Sequence, residues 1–148
     1  MSRAESVVLT NMCMVTDGQG NVLMQDRADP GWPGLVFPGG HVEPGESFVA
    51  SVVREVREET GLTIRNPRLC GVKQFQTENA ERYVVLLFRA DEYEGTLHSS
   101  EEGAALWVPK SDLPNRRCVP KFEHLFRIFE DETISELFYD RYDNAQFY

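Results

Sequence analysis

The sequence predicts an α/β fold in which a mixed β-sheet lies between helices, and three observations lead to that class. The chain has 148 residues, enough for one domain with a core of its own. Short apolar, β-branched runs alternate with segments in which apolar residues recur at helical spacing. One run, 82–91, has a continuous apolar centre, which is typical of a strand buried on both faces. Strands and helices in this order favour a sheet with helices on both sides.

The N-terminal half predicts a hairpin, an irregular loop and a helix. Pro30, Gly31, Pro33 and Gly34 exclude regular structure between the hairpin and the helix. Gly61 stands where a left-handed residue commonly ends a helix. In chain order the predicted elements are a strand at 7–15, a turn at 17–21, a strand at 22–25, a loop at 28–34, a short apolar run at 35–37, turns at 38–40 and 44–45, and a helix at 47–60.

The C-terminal half predicts three strands and a second amphipathic helix. These elements are strands at 69–77 and 82–91, a polar loop at 92–103, a strand at 104–108 and a helix at 120–130. Residues 134–148 are rich in aromatic residues and carry no assignment; we expect them to pack on the domain or on a second subunit, which would make a homodimer. We therefore expect one domain over 1–148, with 130–148 as a C-terminal extension.

The net charge, the apolar runs and the cysteines of the chain exclude several classes of function. The net charge is −9, from 15 basic and 24 acidic residues, and such a surface repels long nucleic acids. It can hold a polyanion only through divalent cations or a local basic pocket. The longest apolar run, 83–88, is far too short to span a bilayer, and the first residues lack the apolar stretch of a secretion signal. Three widely spaced cysteines without a C-x-x-C pair favour a reducing, cytoplasmic environment over disulfides or a zinc site.

The helix at 47–60 carries an unusual set of charges. Its apolar residues share one sector of the helical wheel, which predicts a stripe facing the core: Phe48, Val49, Val52, Val53 and Val56. Glu55, Glu58 and Glu59 are three and four residues apart beside that stripe, where like charges cost about 0.2–0.5 kcal/mol per pair. Arg54 can neutralise only part of this cluster. A divalent cation relieves the rest, and carboxylate oxygens suit Mg²⁺ or Mn²⁺.

The same residues belong to a longer pattern. It consists of Gly40, five residues, Glu46, seven residues, Arg54-Glu55, an aliphatic residue, any residue, Glu58-Glu59, any residue, Gly61 and an aliphatic residue. This pattern resembles the signature of the Nudix hydrolases at every specified position, and 37–40 also matches the usual lead-in. The resemblance implies a Nudix-type α/β/α sandwich. It also implies hydrolysis of a nucleoside diphosphate linked to another group X.

The resemblance further implies roles for individual residues. Glu55, Glu58 and Glu59, with Gly40, would hold the catalytic Mg²⁺, Mn²⁺ being the alternative. Arg54 would orient the glutamates, and Glu46 would support the metal shell or the attacking water. A further metal-binding or water-activating glutamate is expected in the 92–103 loop; the two candidates are Glu101 and Glu102, and the sequence does not choose between them.

Substrate-binding candidates lie outside this cluster, and each has a structural alternative. Arg27 would contact base or phosphate, or else be a surface arginine at a strand end. Phe37 would lie near a nucleobase or in the core, whereas Gly39 would shape the loop beside the substrate. His41 would touch phosphate or face solvent. Asn115 would contact a purine edge, as an asparagine of this region does in MutT-like enzymes.

The resemblance thus predicts a MutT-like pyrophosphohydrolase. Its substrate would be a purine nucleoside triphosphate, including an oxidised one such as 8-oxo-dGTP, cleaved to monophosphate and pyrophosphate. A nucleotide-sugar or dinucleoside polyphosphate pyrophosphatase is the alternative on the same scaffold, because loops outside the signature select the group X. A non-catalytic, Nudix-like nucleotide-binding regulatory domain is the alternative from another class. A globular domain with a merely solvated acidic helix is the least specific one.

Overall fold

The computed structural model describes residues 2–148, and it alternates strands and helices along the chain. The elements are β1 (Val7–Val15), β2 (Asn21–Arg27), β3 (Gly34–Val36), β4 (Gly39–His41), α1 (Phe48–Thr60), β5 (Leu62–Arg65), β6 (Arg68–Gln76), β7 (Arg82–Ala90), β8 (Glu92–Gly95), β9 (Gly103–Pro109), a 3₁₀ helix (Lys110–Asn115), α2 (Phe122–Glu130), β10 (Glu136–Tyr139) and β11 (Ala145–Phe147). Neither α-helix of this part of the chain is long and apolar enough to cross a membrane.

A six-stranded mixed sheet forms the centre of the molecule. Its strand order is β11-β10-β6-β7-β1-β4. The pairs β1–β7 and β6–β10 are parallel, and the other pairs in this sheet are antiparallel. A second sheet of β3, β2 and β9 and a two-stranded sheet of β5 and β8 complete the architecture. The predicted class, a mixed sheet between helices, is confirmed.

The central sheet is apolar on both faces, which explains the continuous apolar run of β7. Val85 and Leu87 contribute to a core that includes α2, whereas Leu86 and Phe88 contribute to a core that includes α1. Successive side chains of a strand point to opposite faces, so a strand with a helix on each side must be apolar at every position.

Helix α1 begins and ends where capping chemistry places it, but its buried face differs from the predicted stripe. Ser47 Oγ accepts a hydrogen bond from the Ala50 N–H, and Gly61 ends the helix with a φ of 82°. Val52 and Val56 are buried as predicted. Phe48 and Val49 are 43% and 47% exposed, so their assignment to the core is wrong. The buried part of the helix begins only at the small residue Ser51.

Several short strands were not predicted. Residues 38–40 were expected to turn, yet Gly39–His41 forms β4 and pairs with β1. The loop expected at 92–103 contains β8, and its partner β5 follows α1 directly. These strands have three or four residues, and β8 is exposed along its whole length. They therefore carry too few residues, or too little alternation of burial, to produce a pattern in the sequence.

The C-terminal residues are not a loose extension, because they complete the central sheet. Strand β10 pairs in parallel with β6, and β11 pairs with β10. Of the tail aromatics, Tyr139 is buried and Phe147 packs against the core, as the first alternative predicted. Tyr142 and Tyr148 are exposed. A second subunit stays a prediction.

Candidate active site

A cleft of about 860 Å³ opens between the central sheet, the sheet of β2 and β3, and α1. This volume lies within the range typical of small-molecule sites. Residues of β1, β6 and β7 line one side of it, and residues of β2 with the 28–32 loop line the other. Four carboxylates reach it from α1 and from the loop before β9: Glu55, Glu59, Glu101 and Glu102.

Arg54 connects the acidic residues of α1 with the segment that precedes the helix. Its Nε donates a hydrogen bond of 2.7 Å to Glu46, and its Nη1 donates to Glu55 and Glu58 at 3.0 and 3.2 Å. Its Nη2 donates to the carbonyl of His41, which lies in β4. The hydrogen bond from Arg54, together with one from the Glu43 N–H, lowers the pKa of Glu46 to about 2. Glu46 and Arg54 themselves do not line the cleft.

Glu55 and Gly40 are in close contact. A Cβ atom added to Gly40 would overlap the Glu55 carboxyl group, so a larger residue fits there only if that carboxyl group moves. Burial raises the pKa of Glu55, although its hydrogen bond to Arg54 acts in the opposite direction. Any side chain at position 40 would therefore push the Glu55 carboxylate away from the cleft.

Glu59 is the most deeply buried acidic residue of the site. It is 4% exposed, and one carboxylate oxygen accepts a hydrogen bond from the Gly39 N–H at 3.1 Å. No arginine contacts it within residues 2–148. Burial raises its pKa well above the usual range, and the neighbouring Glu102 carboxylate raises it further. Neither Glu59 nor Glu102 forms an ion pair within residues 2–148.

Glu58 lies apart from the other two helix glutamates. Its side chain is 55% exposed, bonds to Arg54 and does not line the cleft. Within residues 2–148, no three Asp, Glu, His or Cys side chains form a ready-made metal site. The donor set nevertheless fits a hard divalent cation, because Glu55, Glu59 and Glu102 offer only oxygen atoms and, within residues 2–148, only Glu55 has an ion-pair partner, Arg54.

Two buried amides of the site were missed in the sequence analysis. Asn11 donates to Ser51 Oγ at 2.9 Å and accepts from the Gly40 N–H at 3.1 Å, so it joins β1, β4 and α1. Gln25 is 1% exposed and lines the cleft, and its Nε2 has no hydrogen-bond partner in the described part of the chain. The available signal was a carboxamide inside an otherwise apolar strand.

Three predicted substrate-binding residues line the cleft: Arg27, Gly39 and His41. The Arg27 guanidinium lies 5.0 Å from the centre of the Trp32 ring and donates hydrogen bonds to the Trp32 carbonyl and to Asp29. His41 is exposed. Both groups can therefore reach a ligand without a change in the core.

The other two candidates are Phe37, which also lines the cleft, and Asn115, which does not. Phe37 borders the cleft, but it is 1% exposed and packs against the rings of Phe122 and Phe129 at 5.2 and 5.0 Å, which makes it a core residue. Asn115 is exposed at the end of the 3₁₀ helix and does not line the cleft. The structure therefore does not support base recognition by Asn115.

The end of the cleft opposite α1 is aromatic. The Phe75 and Tyr83 rings stack there at a centroid distance of 5.2 Å, and Lys73 lies beside them. None of these residues was a candidate in the sequence analysis, because strand aromatics are more often core residues. The cleft thus has an acidic end and an aromatic end.

The fold and the acid-lined cleft define a hydrolase of the α/β/α sandwich class. The chain belongs to the Nudix family, since the family model for the NUDIX domain matches residues 8–127. It is a Nudix hydrolase, an enzyme that acts on pyrophosphate bonds of nucleotide-like substrates.

Similar proteins agree with this assignment. A Bacillus subtilis protein described as the uncharacterized Nudix hydrolase YvcI is 38% identical over 122 residues, 79% of this chain and 75% of the relative. The crystal structure of a mutator MutT protein from Bacillus halodurans matches with a TM-score of 0.74 at 27% identity, covering 93% of this chain and 94% of that one. The human 8-oxo-dGDP phosphatase NUDT18 is 35% identical over 62% of this chain, but the match spans only 29% of that protein.

Proposed function

We propose that this Nudix hydrolase is a Mg²⁺-dependent nucleoside triphosphate pyrophosphohydrolase. Its substrate would be a purine nucleotide, including an oxidised one such as 8-oxo-dGTP, and its products the monophosphate and pyrophosphate. The observation that carries the proposal is the buried Glu59 carboxyl group, which lies beside the exposed Glu102 and forms no ion pair within residues 2–148. The likeness to a MutT structure and to a phosphatase of 8-oxo-dGDP supports the purine assignment.

Glu55, Glu59 and Glu102, together with the Gly40 backbone, would hold the cation, Mn²⁺ being the alternative. Glu58 would join them by releasing its exposed hydrogen bond to Arg54. A bound Mg²⁺ supplies charge neutralisation on the phosphoryl oxygens and a more acidic water. Before the cation binds, Glu59 carries a proton at neutral pH, because burial raises its pKa. Binding of the cation therefore releases that proton.

The other residues of the site would position the reacting groups. Arg54 donates a hydrogen bond to the Glu55 carboxylate and is itself fixed by its bonds to Glu46 and to the His41 carbonyl. These bonds keep the Glu55 carboxylate against Gly40. Glu102 is the stronger of the two loop candidates for receiving the proton of the attacking water, since its charge acts directly on Glu59. Arg27 and His41 would bind phosphate or base from the other side of the cleft.

The test combines substrate and metal. Nucleoside triphosphates, 8-oxo-dGTP, a nucleotide sugar and a dinucleoside tetraphosphate are incubated with Mg²⁺, Mn²⁺ or EDTA, and the cleaved bond is identified by ¹⁸O-water incorporation. Release of pyrophosphate from a purine triphosphate, only with a cation, is the expected result. Release of sugar phosphate would favour the nucleotide-sugar alternative. An absence of hydrolysis with every substrate would favour a binding domain and contradict the proposal.

The two loop glutamates provide a matched pair for the same assay. Glu102→Gln removes the charge beside Glu59, whereas Glu101→Gln changes the adjacent residue, which also lines the cleft. We expect the first variant to lose at least about 10²-fold in kcat and the second much less. Equal effects of the two variants would contradict the assignment of Glu102.

We also propose that the enzyme is cytoplasmic and acts on free nucleotides. All three cysteines are free thiols, with Cys13 buried, as expected for a reducing compartment. The net charge of −9 disfavours binding to nucleic acid polymers. Fractionation of cells and binding assays with RNA and DNA test both statements.

A further inference from the structure

Lys73 lies at the aromatic end of the cleft, far from the carboxylates. The ladder of the central sheet pairs Lys73 with Val85, Val85 with Thr10, and Thr10 with His41 of β4. Three strand spacings separate Lys73 from β4, which is about 14 Å. Phe75 and Tyr83 flank it on the same side of the sheet, and all of these residues line the cleft. The two ends of the cleft therefore differ in charge. The distance between them leaves room for a nucleoside.

Lys73 differs from the two other lysines of the chain, Lys110 and Lys121. Lys110 pairs with Glu130, and Lys121 pairs with Asp143. The Lys73 ammonium group has neither an ion pair nor a hydrogen bond within residues 2–148. Its ammonium group instead lies 5.6 Å from the centre of the Tyr139 ring and 5.9 Å from that of Phe75.

This environment is costly for a charge without an anionic partner. Burial lowers the pKa of Lys73, and the nearby Lys121 lowers it further. Aromatic faces offset part of the loss of hydration, but they supply no negative charge. The nearby Asp143 carboxylate raises the pKa of Lys73 in part, but it forms its ion pair with Lys121. An anion from outside the chain would satisfy it.

We propose that Lys73 binds a second anionic group of the substrate, separate from the diphosphate. The inference rests on the proposed function, because it assumes that the cation at Glu55 and Glu59 binds the diphosphate. The remainder of the substrate then extends over the Phe75–Tyr83 stack to Lys73. The anionic group belongs to the nucleoside or to X: either a phosphate on a sugar hydroxyl or a base that is ionised at neutral pH.

The experiment measures binding with matched ligands that differ in this group. ADP-ribose is compared with its 2′-phosphate, dephospho-coenzyme A with coenzyme A, and GDP with XDP. Calorimetry is done with Ca²⁺ in place of Mg²⁺, so that the diphosphate is held without turnover. In the wild type we expect at least one charged member to bind about tenfold tighter than its parent. The pair that shows the difference identifies the source of the anion.

Substitutions assign the preference to Lys73. Lys73→Met keeps the apolar stem and removes the charge, so the ratio of affinities should fall to near one. Lys73→Arg should retain most of the preference. Lys121→Met serves as the control, because Lys121 lies 4.6 Å from the same Tyr139 ring but has its own carboxylate partner. Should Lys73→Met not fold, Lys73→Gln tests the same point.

Each outcome decides the inference. Equal affinities within every wild-type pair, a preference that survives Lys73→Met, or one that is also lost in Lys121→Met would overturn it. Turnover of the nucleoside triphosphates of the proposed function is measured separately with Mg²⁺. If none is hydrolysed, the proposed function fails, while the binding ratios still decide whether Lys73 recognises an anion.

Discussion

Glu46 and Glu59 are both acidic residues of the site, yet their surroundings differ in two ways. Glu46 accepts hydrogen bonds from Arg54 at 2.7 and 3.0 Å, and its pKa falls to about 2. Glu59 is buried beside Glu102 without an arginine, and its pKa rises. The difference teaches that one arginine provides hydrogen bonds to the acidic residues that it reaches, and that Glu59, which it does not reach, lies where we propose that the cation binds.

The largest expected effect is a loss of activity that distinguishes Glu59 from Glu46. Glu59→Gln removes the carboxylate that would bind the cation, and we expect kcat to fall by about 10³-fold, equivalent to about 4 kcal/mol. Glu46→Gln keeps a hydrogen-bond acceptor for Arg54 and should lose far less. Pyrophosphate release measures both, and circular dichroism verifies the fold. A loss of less than about tenfold in kcat for Glu59→Gln would contradict the difference in role between Glu59 and Glu46.

The second prediction removes the arginine that satisfies the first group. Arg54→Ala leaves Glu46, Glu55 and Glu58 without their shared donor, so we expect kcat to fall by about 10–10²-fold. The free energy of unfolding should fall by about 1–3 kcal/mol, since charge-assisted hydrogen bonds are lost. Arg54→Lys should recover only part of both, because an ammonium cannot replace the planar fork. Full activity of Arg54→Lys would show that charge alone matters.

The third prediction concerns stability without metal. The pKa of Glu59 is raised from 4.5, so its contribution to stability is fully present below pH 4.5 and is lost as pH rises toward the folded-state pKa. In EDTA at neutral to alkaline pH, Glu59→Gln should therefore be more stable than the wild type by about 1 kcal/mol. Denaturant unfolding checks this. Mg²⁺ should remove the difference, and a wild type that is more stable in EDTA would contradict it.

The smallest expected effect concerns stability at acid pH, where the contribution of Glu46 depends on pH in the opposite direction to that of Glu59. The pKa of Glu46 is lowered from 4.5 to about 2, so the stability that it contributes is present above pH 4.5 and is lost as pH falls toward 2. Glu46→Gln should therefore flatten the acid side of the stability profile and leave the alkaline side unchanged. Thermal unfolding between these pH values measures it, with Glu78→Gln, an exposed residue of the β6–β7 turn, as the control.

Much of the fold could be predicted, and the missed parts share a cause. Strands β1 and β7 and helices α1 and α2 have nine or more residues, and each has either helical periodicity or a long apolar, β-branched run. Strands β4, β5, β8, β10 and β11 have three or four residues each. Their pairing depends on partners far along the chain, as when β10 joins β6. A local pattern does not contain that information.

The sequence by itself determined which residues form the acidic helix and which family they indicate, because spacing along a helix is a local property. Only the tertiary structure decided which glutamates bond to Arg54, that Glu59 lies against Glu102, and that Lys73 faces the same cleft without an ion pair among residues 2–148. These relations depend on burial and on distances between elements remote in the chain. The free energy of an ionised side chain depends on its surroundings in the folded protein rather than on its neighbours in the sequence.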